Sequence, residues 1–138
     1  MKSQHLITLV AVLASLLLTA CDAFMPEDYS EGRTKLTLPN MRIIYVERYG
    51  FVKESANILG YVSDNGAVRD DHYHYVGRIE KKNNKIYRVY NLSGKVGEVD
   101  MTTGKVTATT MSNFGKGEGY DIWRAGCTLL LLNEDQLY

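Results

Sequence analysis

A repeated glycine motif limits the fold of this chain more than any other feature of its sequence. Three segments have the form apolar-Gly-X-apolar: Leu59–Val62, Val76–Ile79 and Val96–Val99. Six or seven residues after the glycine of each segment come a turn residue, one variable residue and a small or β-branched apolar residue. This pattern predicts short strands joined by tight turns, in which Gly or Asn supplies the positive φ that hairpins require. The second halves of the three units are Gly66-Ala67-Val68, Asn84-Lys85-Ile86 and Gly104-Lys105-Val106.

Weaker copies extend the pattern in both directions. Gly119–Ile122 and Gly126–Thr128 form a degenerate unit, and Gly50–Val52 is the second half of a unit that starts at Ile43. The unit starts, 43, 60, 77, 97 and 119, are 17, 17, 20 and 22 residues apart. Units of this size bury their apolar faces only against their neighbours. The sequence therefore predicts an all-β fold, a small rosette or barrel-like domain of about five imperfect β-hairpin repeats of 17–22 residues. A barrel of about eight strands or an irregular meander is the alternative.

The first twenty residues have the layout of a cleavable leader. Lys2 precedes an almost wholly apolar run from Leu6 to Leu18. This run is shorter than the roughly 20 residues of a spanning helix, and it fits the apolar part of a signal peptide. It ends in Leu18-Thr19-Ala20-Cys21, a tetrad that resembles the lipobox of bacterial lipoproteins. The alternative is an ordinary signal peptide with a chance cysteine after its cleavage site.

The lipobox resemblance implies that the leader, residues 1–20, is cut before Cys21 and that the Cys21 thiol carries diacylglycerol. Two or three acyl chains hold a protein stably at a membrane, whereas one chain binds only marginally. Asp22 follows directly, and in enterobacterial lipoproteins an aspartate at this position tends to retain the protein in the inner membrane. We therefore expect a cell-envelope protein at the inner membrane facing the periplasm, with the outer membrane as the alternative.

Composition divides the rest of the chain. Residues 21–40 are expected to form the lipidated N-terminus and a polar tether, and residues 41–138 the hairpin domain. Removal of the leader removes Lys2, one of 16 basic residues, and none of the 16 acidic ones, which leaves a net charge of about −1. Since there is no basic field, nucleic acid is not an expected partner. The expected partners are the membrane, through the acyl chains on Cys21, and an envelope protein.

The best-defined repeats also carry a family resemblance. The run from Val76-Gly77-Arg78-Ile79 through Ser93–Val99 to Gly104-Lys105-Val106 is similar to the β-flower proteins, small bacterial domains of four or five Gly-X-apolar hairpins in a rosette. The similarity is clearest over residues 59–106 and weakens at Ile43 and Asp121, where the motif is broken. The resemblance implies a fold, but it implies neither a catalytic residue nor a cofactor.

Asp70–Tyr75 is the densest polar segment of the sequence. In an extended strand His72 and His74 would point to one face, and Tyr73 and Tyr75 to the other. Two imidazoles at this spacing, completed by Asp70, are suitable ligands for zinc or copper. The alternative is a solvated segment between two repeats, because no third histidine is present beyond the leader.

Tyrosine is enriched, since all ten tyrosines lie beyond the leader. A tyrosine ring buries area while its hydroxyl stays hydrated, so tyrosine suits binding surfaces. It is also a strong strand former, and packing within the strands is the alternative explanation. The candidate residues of an aromatic surface for glycan, peptide or protein are Tyr73, Tyr75, Tyr87 and Trp123.

Three further segments lead to structural expectations. Cys127 is expected to lie buried in a strand, Lys81–Lys85 to form a solvated hairpin tip, and Gly115–Gly119 to form a flexible loop. No residue set completes a catalytic role. The sequence therefore favours a non-catalytic, membrane-anchored structural or protein-interaction module without a cofactor. The alternative is a metal-binding, small-ligand-binding or enzymatic protein that uses His72 and His74.

Overall fold

The structure, a computed structural model, describes residues 32–132 and, for residues 111–113, the backbone only. The described chain contains ten β-strands followed by two short helices. The strands are β1 (Thr34–Thr37), β2 (Ile43–Val46), β3 (Phe51–Glu54), β4 (Asn57–Val62), β5 (Ala67–Asp70), β6 (Tyr75–Lys81), β7 (Ile86–Tyr90), β8 (Lys95–Asp100), β9 (Lys105–Ala108) and β10 (Met111–Gly119). A 3₁₀ helix, η1 (Ile122–Cys127), continues directly into α1 (Thr128–Leu131).

The ten strands form one closed antiparallel barrel. Each strand pairs with its neighbours along the chain, and β1 pairs with β10, so that Thr34 lies opposite Gly119. Closure leaves no open sheet edge on the barrel. The prediction of a small all-β, barrel-like domain of about five β-hairpins is confirmed.

The two ends of the barrel differ in what connects there. Because neighbouring strands are antiparallel, successive connections alternate between the ends. The turns β1–β2, β3–β4, β5–β6, β7–β8 and β9–β10 lie at one end, which we call the distal end. The chain enters β1 and leaves β10 at the opposite end, the proximal end, where the other four turns lie.

The apolar-Gly motif is a repeated β-bulge. In the β3–β4 pair the register shifts before Gly60, so that Leu59 is an extra residue without a partner. Val76 and Val96 are the extra residues at the equivalent points of β6 and β8. A bulge changes the direction of its side chain relative to the regular pleat. All three extra residues pack against the core.

The barrel interior is filled by β-branched and other aliphatic side chains, which suit a small barrel without a channel. The residues of the strands that are fully enclosed are Leu36, Ile44, Val46, Val52, Val62, Val68, Val89, Val99 and Val106.

The helical segment η1–α1 completes this core from within. Trp123, Ala125 and Cys127 belong to the same buried cluster as the strand residues. Arg124 contacts the proximal turn at Asp64, while α1 contacts Gly77 and Gly97 in the distal halves of β6 and β8. The segment therefore runs from the proximal end into the barrel, as a plug.

Three consecutive leucines of the plug pack over three of the repeated glycines. A β-carbon added to Gly60, Gly77 or Gly97 would lie 2.4, 2.2 and 2.2 Å from a cross-strand carbonyl oxygen, and 2.9, 2.9 and 2.5 Å from a Cδ atom of a leucine. Successive residues of an α-helix are rotated by about 100°, so neighbouring leucines reach different hairpins of the ring. The contacting leucines are Leu131, Leu130 and Leu129, in that order.

The structure corrects several sequence predictions. Thr34–Thr37, assigned to the tether, form β1, and Gly115–Gly119, expected as a loop, lie within β10. The degenerate unit at Gly119–Thr128 is not a hairpin but the plug. Cys127 is buried as expected, but in η1 and not in a strand.

The β6–β7 turn does not use Asn84 in place of a glycine. Asn84 is not among the described residues with positive φ. The side chain of Asn83 shapes this turn instead, since its Oδ1 accepts the backbone N–H groups of Lys85 and Ile86 at 2.8 and 2.9 Å.

Candidate functional site

Cys21 and Asp22 lie outside the described residues, so their lipidation and sorting roles stay predictions. Within residues 32–132, no helix has the length and apolar character needed to cross a membrane.

The segment between Asp70 and Tyr75 forms a tight, exposed distal turn, as in the alternative of a solvated segment between two repeats, and not an extended strand. The Oδ1 atom of Asp70 accepts the backbone N–H groups of His72 and His74, both at 2.9 Å. Tyr73, between them, has a φ of 64°. The predicted separation of imidazoles and phenols onto opposite faces is therefore wrong, because an aspartate-capped turn replaces the pleat.

This turn gives no support to a metal site. His72 and His74 are exposed, with ring centroids 6.2 Å apart, and their nearest carboxylates are at 3.8 and 3.6 Å. Asp70, the expected third ligand, already uses Oδ1 for two backbone N–H groups. In the described part of the chain, no group of three or more His, Cys, Asp or Glu side chains has the geometry to hold a metal ion.

The four aromatic residues predicted as one surface fall into two places. Tyr87 and Trp123 stack at the proximal end, with ring centroids 5.6 Å apart and an interplanar angle of 10°. Tyr73 and Tyr75 lie at the distal end, where Tyr75 accepts a cation–π contact from Arg69 at 5.9 Å. The sequence alone could not show that these four residues form two separate pairs, because the order of the strands around the barrel determines which residues meet.

The Tyr87–Trp123 stack borders a proximal cleft of about 530 Å³. Carboxylate, amide, ammonium and aromatic groups meet in this cleft, a mixture that suits a small polar ligand. The lining residues are Asp64, Asn65, Gly66, Ile79, Glu80, Lys81, Tyr87 and Trp123.

A buried arginine lies beneath the cleft. Only 7 % of the Arg124 side chain is exposed, and its Nη2 donates to Asp64 Oδ1 at 2.7 Å. Its Nε lies 3.6 Å from Asp121 Oδ2, and the guanidinium is 5.3 Å from the Trp123 ring. Arg124 therefore joins the plug to the β4–β5 turn, beside Trp123.

Comparison of the chain with protein-family models, curated proteins and solved structures gives no match. The barrel's own surface is therefore the basis for assigning a function.

An aromatic ladder crosses the outer face of β3 and β4. Tyr49, Phe51, Tyr61 and Tyr73 follow one another with ring centroids 5.7, 5.8 and 6.3 Å apart. The first two contacts are edge-to-face, the geometry that aromatic pairs favour. The ladder links the proximal turn at Tyr49 to the distal turn at Tyr73.

The distal end carries a cluster of exposed apolar side chains. Four consecutive distal hairpins each carry one exposed apolar side chain at or beside the turn. We call these four residues, Met41, Ile58, Tyr73 and Leu92, the apolar crown. Their exposed fractions are 78, 49, 59 and 77 %. Ile43 and Tyr75 lie beside them, so six of the eight large exposed hydrophobic residues described are distal.

The proximal turns have a different composition. Ser63–Gly66, Lys82–Lys85 and Met101–Gly104 expose mainly polar or charged groups, and the large exposed hydrophobic residues described at this end are Tyr49 and Tyr120. Lys81–Lys85 forms the solvated hairpin tip that the sequence indicated. The two ends of one barrel are therefore chemically distinct.

Met41 and Leu92 were missed in the sequence. Both stand inside turn-forming contexts, Pro39-Asn40 before Met41 and Ser93-Gly94 after Leu92. A large apolar residue at such a tip has no core to enter. Its presence within a turn sequence is the signal that could have identified it as exposed.

Cys127 carries no accessible chemistry. The residue is fully buried, and this burial raises the pKa of its thiol far above the ordinary value. Since the thiolate is the reactive form, the side chain acts as part of the apolar core.

Proposed function

We propose that this protein is a membrane-anchored lipoprotein of the cell envelope whose barrel is a non-catalytic interaction module. The concentration of exposed apolar side chains at the distal end carries the second half of the proposal. Clustered exposed apolar surface on a folded domain marks a site of interaction with a protein or membrane. The barrel core is complete without these side chains, so folding does not account for them.

The anchor is supported by the tetrad Leu18-Thr19-Ala20-Cys21 at the end of the apolar run. Asp22 supports retention at the inner membrane, with the barrel in the periplasm. The described barrel begins at Gly32, which leaves a short segment between Cys21 and the first strand. The resemblance to β-flower proteins, which rests on the motifs of residues 59–106, is part of the same proposal.

The anchor is tested by mass spectrometry of the protein from membranes of the cell that makes it. We expect the mature chain to begin at Cys21 with diacylglycerol on the thiol, and Cys21→Ser to accumulate as an uncleaved precursor. Normal processing of Cys21→Ser at the same bond would contradict the lipoprotein assignment.

The module is tested by a photoreactive amino acid placed at Leu92 in living cells. The matched control carries it at Asn84, an exposed tip residue at the proximal end. We expect reproducible crosslinked products from position 92 and few from position 84. Equal or no crosslinking at the two positions would remove the distal end as the interaction surface.

A second candidate function, binding of a small polar ligand, is favoured by the Tyr87–Trp123 cleft. Trp123 is the single tryptophan of the chain, so its fluorescence reports directly on that cleft. Titration with a soluble N-acetylglucosamine oligosaccharide should change the emission saturably, and Tyr87→Ala should abolish the change. A flat titration of the wild-type protein would exclude this ligand class.

A further inference from the structure

We infer that the apolar crown is a lipid-contacting surface, which inserts into the interface of the bilayer that holds the acyl anchor. The inference rests on the proposed function, because the anchor is what keeps a bilayer within reach. The inference identifies the lipid bilayer as the partner of the distal end.

The crown residues are not explained by the turns in which they stand. Met41 and Tyr73 have φ values of 70 and 64°, a left-handed conformation in which Gly, Asn and Asp are favoured over large side chains. Leu92 follows Asn91, whose Oδ1 accepts the N–H groups of Ser93 and Gly94 and shapes the turn without it. Met41 and Tyr73 are therefore present in spite of the local geometry, and Leu92 is not needed to form its turn.

The arrangement of the crown fits a fluid surface. Each apolar side chain stands on a separate hairpin of the ring, so the surface is made of several tips at one end of the barrel. A rigid protein partner would need a matching pocket for each tip, whereas the interfacial region of a bilayer adapts to separate insertions. Tyr73 adds the amphipathic ring that is enriched at membrane–water interfaces.

Two of the charged sites beside the crown are paired or hydrogen-bonded, whereas the Asp71 carboxylate in the β5–β6 turn is exposed. Arg42 and Glu54 form a two-point ion pair between the first two distal turns, with nitrogen–oxygen distances of 2.7 and 2.6 Å. Asp70 accepts two backbone N–H groups within its own turn. The Arg42–Glu54 pair and Asp70 therefore bring little unpaired charge to the bilayer interface, and Asp71 is a carboxylate that must stay hydrated there.

The chain length allows the distal end to reach the membrane. The six residues of β8 rise about 20 Å along the barrel. The eleven residues from Cys21 to Gly32 span at most about 36–40 Å when extended. A chain anchored at Cys21 and entering at the proximal end is thus long enough to run the height of the barrel. Anchoring also raises the effective concentration of lipid at the crown, so weak insertions suffice.

The test uses the lipidated mature protein in vesicles of phosphatidylethanolamine and phosphatidylglycerol with brominated acyl chains, which quench nearby tryptophan. Leu92→Trp reports on the distal end and Asn84→Trp on the proximal end, with Trp123 as the common background. Side chains inserted about 5–10 Å into the interface meet the bromine, so Leu92→Trp should be quenched about twofold more than Asn84→Trp. Stronger quenching of Asn84→Trp, or equal quenching, would overturn the inference.

A second measurement removes the anchor. The mature chain with Cys21→Ser is sedimented with the same vesicles, with and without Met41→Asn and Leu92→Asn, two substitutions at exposed positions that suit their turns. The loss of two apolar tips should lower the partition coefficient at least about tenfold. Unchanged partitioning would contradict lipid contact, as would concentration-dependent dimers that form through the crown without vesicles.

The two proposals fail separately. A mature chain without acyl groups by mass spectrometry refutes the lipoprotein assignment. A lipidated chain whose Leu92→Trp variant is not quenched refutes only the crown's contact with lipid.

Discussion

At the scale of residues, the ion pair Arg33–Glu47 contains a buried carboxylate whose charge is compensated by its arginine partner. Arg33 donates to both carboxylate oxygens of Glu47, at 2.7 and 3.3 Å, and only 1 % of the Glu47 side chain is exposed. The guanidinium also lies 4.2 Å from the Tyr45 ring. Glu47 is thus held as a buried acceptor at the proximal end.

Arg33→Ala should destabilise the barrel by about 3–5 kcal/mol, because Glu47 would stay buried without its partner. Arg42→Ala is the matched control: its pair with Glu54 is partly exposed, at 29 and 24 %, and such pairs contribute about 0–1 kcal/mol. Urea unfolding of both variants gives the comparison. Similar losses of unfolding free energy would show that Glu47 does not depend on Arg33.

Asp70 makes the distal turn sensitive to acid. Hydrogen bonds from the backbone N–H groups of His74 and His72, His74 first, lower the pKa of the Asp70 carboxyl below its ordinary value. A lowered pKa means that the ionised form stabilises the folded turn. This stabilisation is therefore complete above about pH 4 and is lost as the pH falls through the folded value.

Hydrogen exchange followed by NMR should show the amides of His72 and His74 protected at neutral pH and losing protection below about pH 4. Asp70→Asn should remove most of this pH dependence. If the protection factors of these two amides do not change with pH in the wild type, the Asp70 carboxylate does not hold the turn.

At the scale of elements, the plug reverses an ordinary rule about glycine in helices. Replacing a helical glycine by alanine usually stabilises by about 1 kcal/mol. Within η1, however, a β-carbon on Gly126 would lie 2.7 Å from Val89 Cγ2 and 3.0 Å from Val99 Cγ2. The plug therefore has no space for the added methyl group.

Gly126→Ala should consequently lower the free energy of unfolding by about 1–3 kcal/mol, the usual range for overpacking. Val89→Ala should be less harmful in the Gly126→Ala background than alone, because it removes the nearest clash. A double-mutant cycle measured by urea unfolding gives both values. A stabilised Gly126→Ala variant would mean that the plug can shift away from the strands.

The hairpins of residues 59–106 could be predicted from turn residues such as Gly66 and Gly104, but the details of the Asp70–Tyr75 turn and of the β6–β7 turn could not. The plug could not be predicted, because a six-residue 3₁₀ helix followed by one turn of α-helix is too short to show a 3.6-residue apolar period. Its place depends on glycines such as Gly60 and Gly97, distant in sequence from Leu131 and Leu129. Of the candidate aromatic residues, Tyr87 and Trp123 do meet, but strand order around the ring, not spacing, brings them together.

At the scale of the whole molecule, the barrel depends on both ends of the described chain. β1 closes the ring against β10, from Thr34 opposite Gly119 to Thr37 opposite Lys116. Without β1, the edges of β2 and β10 would present unpaired backbone groups.

A mature chain shortened to begin at residue 41 should therefore lose cooperative thermal unfolding and aggregate. A chain that begins at residue 32 keeps β1 and is the control. Circular dichroism melting and sedimentation velocity distinguish them. A monomeric, cooperatively melting chain from residue 41 would show that ring closure is dispensable.

The pairing of β1 with β10 also determines when the barrel can fold during synthesis or export. A chain that is threaded through a membrane pore, N-terminus first, delivers β1 long before its partner strand, and the plug leaves the pore after both. Neither the ring nor its core can be completed until nearly the whole chain has passed. If the chain is exported as proposed, this order of elements keeps it unfolded in transit and postpones folding until release.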